Sequence, residues 1–387
     1  MKHSIFNGRL IPALLAAGLL SACAVQPPAS QASAAQRSIA GLRLIGEQRI
    51  ALKQEFQGTP VGGLSGIDYD PASGTWIIES DDRSEFSPAR FYRARLDYDA
   101  SAFASVTLTG MHYFKQADGT NYQNVEEYQA HGGEVPDVET IRIDPRDASL
   151  WYGSEGDRRL GLNPFVKHAD QNGNYLSTLP TPVMFNVSQQ ETGSRNNLSF
   201  EGLSFAPDGD SLWLGMEASL YQDGPVSTPS AGSLTRVTRI ARDGKVLAQY
   251  AYPLGPIASS PAPGKHAENG VSEILAVNDH QLLAIERAGV EDAQGTYKNH
   301  IRIYEMDTDG ATDISGIPAL QGASFVAMRK RLVLDLETLG LDRLDNIEGI
   351  SWGPRLANGH DSLVLISDDN FNHKQVTQLL AFEVLPK

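Results

Sequence analysis

The chain has 387 residues, 41% of them apolar, and carries 32 Lys and Arg against 47 Asp and Glu, a formal charge of −15. This excess of acid excludes nucleic acid and anionic lipid as partners held by non-specific attraction. A single cysteine excludes a disulfide framework.

Lys2 and Arg9 precede an apolar run, Leu10 to Leu20, that is too short for a stable membrane span, so residues 1–22 read as a secretory signal. Leu20-Ser21-Ala22-Cys23 resembles a bacterial lipobox, which implies cleavage before Cys23 and its lipidation. The rival reading is an ordinary signal peptide with an incidental cysteine. Ala24 after the cysteine favours the outer over the inner membrane. Residues 23–40, rich in Ala, Ser, Gln and Pro, cannot bury a core and read as a flexible tether. Loss of the signal leaves 30 basic residues against 47 acidic ones, a charge of −17. That suits an exported protein handling cations or cation-complexed substrates.

From Gly41 onward no Pro/Gly linker divides the chain, and residues 41–387 read as one domain. A strand over 42–52 comes first. Then a strand–turn–strand unit recurs five times, at Leu64–Asp82, Asp137–Glu155, Asn197–Glu217, Val271–Arg287 and Asn346–Asn370, at separations of about 60 to 75 residues. Each has turn chemistry in its middle, as in Pro207-Asp208-Gly209-Asp210, and an acid near each end. Further strand-like stretches follow, at 90–96 and 104–114, 234–240 and 245–252, 301–306 and 325–334, and 376–384. Four strands per unit predict an all-β propeller of five four-stranded blades. The last unit lacks a fourth strand, so the N-terminal strand is expected to complete it and close the ring. A sixth, degenerate blade within 106–136 or 288–325 is the alternative. Helical periodicity is weak throughout.

The combination SGIDYDP with SDDRS, DVETIRID, FEGLSFAPDG, SEILAV with IERAG, and NIEGISWG with LISDDNF resembles the phytase-like domain, also called "esterase-like activity of phytase". The resemblance runs from about Gly63 to the C-terminus. It implies a β-propeller, an envelope location and hydrolysis of phosphate esters.

In a propeller the first strand of each blade lines the central channel, so acids at equivalent positions converge at one face. Asp68, Glu139, Glu201, Glu273 and Glu348 are the expected metal ligands from the first strands. Asp81, Asp82, Glu155, Glu217, Glu286, Asp368 and Asp369 would form a rim, with Asp81, Asp82, Asp368 and Asp369 as catalytic carboxylates or ligands of a second ion. Carboxylates packed together need a counter-charge, and hard oxygen donors suit Ca²⁺ better than Zn²⁺. The nine histidines show no paired ligand spacing. Arg83, Arg158 and Arg287 follow rim acids and are expected to hold phosphate, with Lys374 nearby.

A ring of salt bridges that merely locks the propeller is the competing reading of the same residues. Gly349-Ile350-Ser351-Trp352-Gly353 matches GxSxG, but without a following helix it reads as coincidence. Trp76, Trp151, Trp213 and Trp352 read as inter-blade core, and no phosphate-binding Gly-rich loop exists. The expected function is phosphate-ester hydrolysis, phytate-like or simpler, by a monomer tied to the membrane only through its lipid. The alternatives are a non-catalytic binding propeller and a lactonase-like esterase.

Overall fold

A computed structural model describes residues 37–387, together with residues 1 and 3. The expected signal, the lipidation site at Cys23 and most of the expected tether lie outside the described residues. Strand β1 (Gly41–Ile50) is followed by a small hairpin, β2 (Gln54–Phe56) and β3 (Thr59–Val61). Blade 1 is β4 (Ile67–Asp70), β5 (Thr75–Ser80), β6 (Arg90–Tyr98) and β7 (Phe103–Tyr113). A seven-residue helix, α1 (Val125–His131), follows, opened by a capping box between Asn124 and Glu127.

Blade 2 is β8 (Val138–Ile143), β9 (Leu150–Ser154), β10 (Phe165–Ala169) and β11 (Tyr175–Leu179). Blade 3 is β12 (Phe200–Phe205), β13 (Ser211–Met216), β14 (Ser233–Ala241) and β15 (Val246–Leu254). Blade 4 is β16 (Ala267–Ala276), β17 (Gln281–Glu291), β18 (Tyr297–Asp307) and β19 (Arg329–Asp335). Blade 5 is β20 (Asn346–Trp352), β21 (Ser362–Asp368) and β22 (Thr377–Leu385), and its fourth strand is β1.

The fold is therefore a five-bladed propeller, closed as the strand count predicts by antiparallel pairing of β1 with β22, Gly41 opposite Leu385. The stretches that left room for a sixth blade hold β7 and α1, and the long β17–β18 hairpin with an irregular segment after β18. Apolar faces of adjacent blades pack on one another, which puts Trp76, Trp151 and Trp213 in inter-blade clusters. Trp352 is half-buried beneath the Arg37 guanidinium, 4.3 Å from its ring centroid. Ile39 is fully buried and Ala40 N donates to Leu385 O at 2.7 Å, so the fold takes in residues 37–40, which the sequence places in the tether.

The channel is not open along its axis. Arg142 on β8, 2% exposed, donates to the carbonyls of Ile67, Ile141, Ile274 and Ile350 and pairs with Glu273 at 2.7 Å. Glu273 in turn accepts from Leu203 N and Thr140 Oγ1. Asp68 lies at the same depth, accepting from Ile143 N at 2.8 Å and Ser351 Oγ at 2.7 Å. One arginine and two carboxylates thus bond to the innermost strands of all five blades.

Removing the partner of a buried charge is costly, so Arg142→Met should lose roughly 3–5 kcal/mol in urea denaturation. Adding Glu273→Gln should recover part of that loss. Unchanged stability in Arg142→Met would show that the axial ion pair is not what ties the strands.

Candidate metal and substrate site

The innermost strands carry a shared irregularity. Pairing of β8 with β9, β12 with β13, β16 with β17 and β20 with β21 slips by one residue at Glu139, Glu201, Ser272 and Glu348. In blade 1, the bonds Asp81 N to Gly63 O and Glu79 N to Gly66 O put Ser65 at the same place. A bulged residue is unpaired and its side chain is re-aimed. Ser65, Glu139, Glu201, Ser272 and Glu348 therefore form one ring around the axis.

A second ring comes from the strand that follows. Glu155 N bonds to Asp137 O and Glu217 N to Ser199 O, while Arg287 pairs with Gly270 and Asp368 with Asn346. The equivalent positions are thus Asp81, Glu155, Glu217, Arg287 and Asp368, four carboxylates and one guanidinium. Gly63, at φ +58°, faces Asp81 so closely that any Cβ would collide with the carboxylate, and Gly270 is under the same constraint from Glu217.

Both rings open into a mouth of about 610 Å³ lined by Asp81, Asp137, Glu139, Glu201, Glu348 and Asp368, among others. Oxygens of Asp137, Glu139 and Glu155 lie within 4.8 Å of one another, as do those of Glu155, Glu201 and Glu217. Glu155 and Glu201 are 2% and 4% exposed, yet among the described residues Glu155 Oε2 and Glu201 Oε2 have no hydrogen-bond partner. Arg287 Nη2 lies 3.4 Å from Glu217 Oε1, Nη1 lies 3.3 Å from Glu268 Oε1, and Nε lies 3.6 Å from Glu348 Oε1. Glu348 also accepts from Ser65 Oγ at 3.0 Å and Asn346 Nδ2 at 2.9 Å.

Burial and mutual repulsion hold these carboxyls far from ordinary ionisation. Burial, reinforced by Glu348, Asp137 and other neighbours, raises Asp81 well above the usual range, and burial with Asp81 and Glu348 does the same to Asp368. Glu139, Glu155 and Glu201 are raised in the same way. Burial pushes Asp137 up to about 7 against the opposing pull of Arg83, and Glu217 up to about 8 against that of Arg287. Arg287 itself stays charged in spite of burial, held by Glu348, Glu268 and Glu217. A buried acid cluster in this state fits a resident cation, which would meet the two unpartnered oxygens.

The structure sorts the expected site residues. Glu139, Glu201 and Glu348 of the expected ligands, Asp81, Asp82 and Asp368 of the expected catalytic acids, and Arg83 and Arg287 of the expected phosphate anchors line the mouth. Asp68 and Glu273 do not: Glu273 pairs with Arg142 on the axis, and Asp68 accepts from Ile143 N and Ser351 Oγ. Glu273 sits one residue past the bulge, and one residue in a strand reverses the side chain. Asp82 caps the backbone of Glu85, Phe86 and Ser87 and pairs with buried Arg90 at 2.6 Å. Asp369 accepts from Gly63 N, Phe371 N and Thr377 Oγ1. These two are bound into loop structure rather than free to act on a substrate.

Arg158 lies away from the mouth, donating to Gln190 O and stacking on Tyr221. Glu286 faces blade 3 and β19 instead of the rim, bonded to Tyr252 and Lys330. Ser351 is fully buried and bonded to Asp68, not an exposed nucleophile.

Asp137 and Glu268 are site residues the sequence reading passed over. Asp137 shares its place with Asn346 of Asn-Ile-Glu, two residues before the bulged acid. Aligning Gly-Ser-Glu (153–155), Gly-Met-Glu (215–217), Ile-Ser-Asp (366–368) and Ile-Glu-Arg (285–287) would have put Arg287, not Glu286, in the ring.

The carboxyls titrate higher folded than unfolded. The stability they lend is therefore complete below the unfolded range, about pH 4, and is lost as pH rises through about 7 for Asp137 and about 8 for Glu217. In chelator, the melting temperature should fall steadily between pH 5 and pH 9. A flat profile there would mean that the acids are neutralised from within.

No curated protein matches the chain. Among solved structures, a mannose phosphorylase from Leishmania mexicana in complex with phosphate ion is 11% identical, with 91% of each chain covered and a TM-score of 0.38. The periplasmic gluconolactonase of Pseudomonas aeruginosa is 11% identical over 91% of this chain and 99% of its own, with a TM-score of 0.34. The family model "Phytase-like: Esterase-like activity of phytase" matches residues 59–371, and the chain belongs to that family.

Proposed function

We propose that the protein is an exported, calcium-dependent phosphate-ester hydrolase working at the acidic mouth. The observation that carries this reading is the pair of buried, unpartnered oxygens, Glu155 Oε2 and Glu201 Oε2, in a pit where Arg287 is the one ring member with positive charge. Asp137, Glu139, Glu155, Glu201 and Glu217 would hold the metal, Glu155 belonging to both carboxylate sets. All are hard oxygen donors, which suits Ca²⁺. A bound divalent cation would supply Lewis acidity and make a nearby water a better nucleophile.

The remaining chemistry belongs to side chains. Asp81 and Asp368 stand in neighbouring blades outside both sets, and Asp81 raises the proton affinity of Asp368. In this role one member of the pair would be ionised and the other neutral. The ionised carboxylate takes the proton of the attacking water, and the neutral one gives its proton to the leaving oxygen. Arg287, charged at any working pH, faces the phosphate oxygens. The competing salt-bridge reading expects a plugged channel and fully paired acids. Arg142 plugs the channel, but the acids outnumber the arginines and two of their oxygens are unpaired.

The detergent-purified protein should bind calcium saturably in calorimetry, with a raised melting temperature. Glu201→Gln should weaken that binding about tenfold or more, roughly 1.4 kcal/mol. Hydrolysis of an aryl phosphate should need calcium and be lost in Asp368→Asn. Wild-type protein that takes up no calcium would sink the mechanism and leave a salt-bridged binding propeller.

A second reading has one observation in its favour: Arg83 and Arg287 are already engaged by carboxylates. A sugar lactone, which needs no arginine, is the substrate to assay beside the phosphate ester. We also propose that the chain is tied to the outer membrane through Cys23. Labelled palmitate should enter the wild type and not Cys23→Ala, and equal labelling would refute the anchor.

A further inference from the structure

Above the carboxylate rings, the walls of the mouth change character. They are raised by blades 4, 5 and 1, and they carry aromatic rings and amides. Tyr297, 45% exposed, lies against Gly289, where an added Cβ would press on its ring at 3.2 Å. Phe86, 50% exposed, stacks on Phe371 with centroids 4.4 Å apart.

Asn197, Asn299 and Asn370 also line the mouth, and among the described residues their side-chain amides make no hydrogen bond. Asn197 and Asn370 hold φ at +54° and +46°, and Phe371, next to Asn370, holds +49°. Left-handed backbone away from glycine is stored strain, and it gathers at sites of function.

The charge of the walls is as telling as their shape. Arg83 is held by Asp137 and Asp157, and Arg287 by Glu217, Glu268 and Glu348. Lys374 also lines the mouth, and it makes no ion pair among the described residues. A body bearing many phosphates would meet carboxylates here, with little free positive charge to offset it. A ring of hydroxyl groups meets what it needs. Each amide offers both donors and an acceptor, matching hydroxyls that do both, and the aromatic faces cover a ring's C–H side.

We propose that the mouth recognises a hydroxylated ring, a sugar or cyclitol, that carries a single anionic group reaching into the pit. This rests on the reading of the pit as a metal-assisted ester site and specifies its substrate class. Tyr297 and Asn299 set the specificity, while the cation held by the carboxylate rings, together with Arg287, meets the single anionic group.

The test is calorimetry on the detergent-purified protein with free calcium buffered in excess. A hexose monophosphate should bind about tenfold tighter than inorganic phosphate or phenyl phosphate, and tighter than inositol hexakisphosphate. The double variant Tyr297→Ala/Asn299→Ala, checked for an unchanged melt, should lose that preference and keep its affinity for calcium and inorganic phosphate. Equal binding of all phosphates, tighter binding of the hexakisphosphate, or a preference that survives in the double variant would overturn the inference.

Binding is read without turnover, so absent hydrolysis counts against the hydrolase reading alone. Should calcium fail to bind, the uncharged hexose still probes the walls. A preference for it that falls with Tyr297 and Asn299 supports the inference, and no preference overturns it.

Discussion

The pairing of Arg142 with Glu273 on the propeller axis is the constraint on which the rest depends. A ring of five blades brings five inner strands together at a point where ordinary apolar packing leaves a hole. Here one guanidinium fills it and bonds to carbonyls of β4, β8, β16 and β20, while its partner carboxylate takes the amide of β12. A buried pair of this kind is weak evidence for stability in itself, since both ions are desolvated. Its effect is geometric: it fixes the distance of every inner strand from the axis. It also floors the channel, so the carboxylates above it face a closed pit rather than a pore.

That floor explains the electrostatics above it. The bulge in each inner strand turns one side chain toward the axis, and the following strand adds a second a few ångströms outward. Repetition of the unit multiplies whatever residue sits there. Three glutamates and two serines form one ring, four acids and Arg287 the other. Serine at two positions and arginine at a third dilute a charge that five-fold repetition would otherwise make impossible to bury. Even so, Glu155 and Glu201 keep unpartnered oxygens. Two unpartnered carboxylate oxygens in one closed pit, among acids already crowded together, mark a place where a cation would bind.

The walls of the mouth depart from the repeat further than the rings do. Blades 2 and 3 add little to its walls beyond carboxylates and Asn197, whereas the β17–β18 hairpin and the loops after β5 and β21 rise around it with Tyr297, Phe86 and Phe371. The repeat supplies the charge, and the departures from the repeat supply the shape that a ligand meets.

Much of the architecture was legible because its causes are local. Alternation of apolar residues, Pro-Asp-Gly turns and the recurrence of one unit specify strands, hairpins and a radial repeat, and a missing last strand beside a spare first one specifies closure. Glu139, Glu201 and Glu348 were legible too, each standing just before a small or β-branched residue in the same short pattern. What the sequence could not decide is which acids meet. Side chains along a strand alternate with period two, so Glu273, one residue out of step, faces Arg142, and Glu286, one residue before Arg287, faces its neighbouring blade. Asp82 and Asp369 look equivalent to Asp81 and Asp368 in the chain, yet their carboxylates are taken up by loop backbone, Arg90 and Thr377. Only the closed ring, with its bulges and its axial arginine, converts spacing along the chain into distance across the axis.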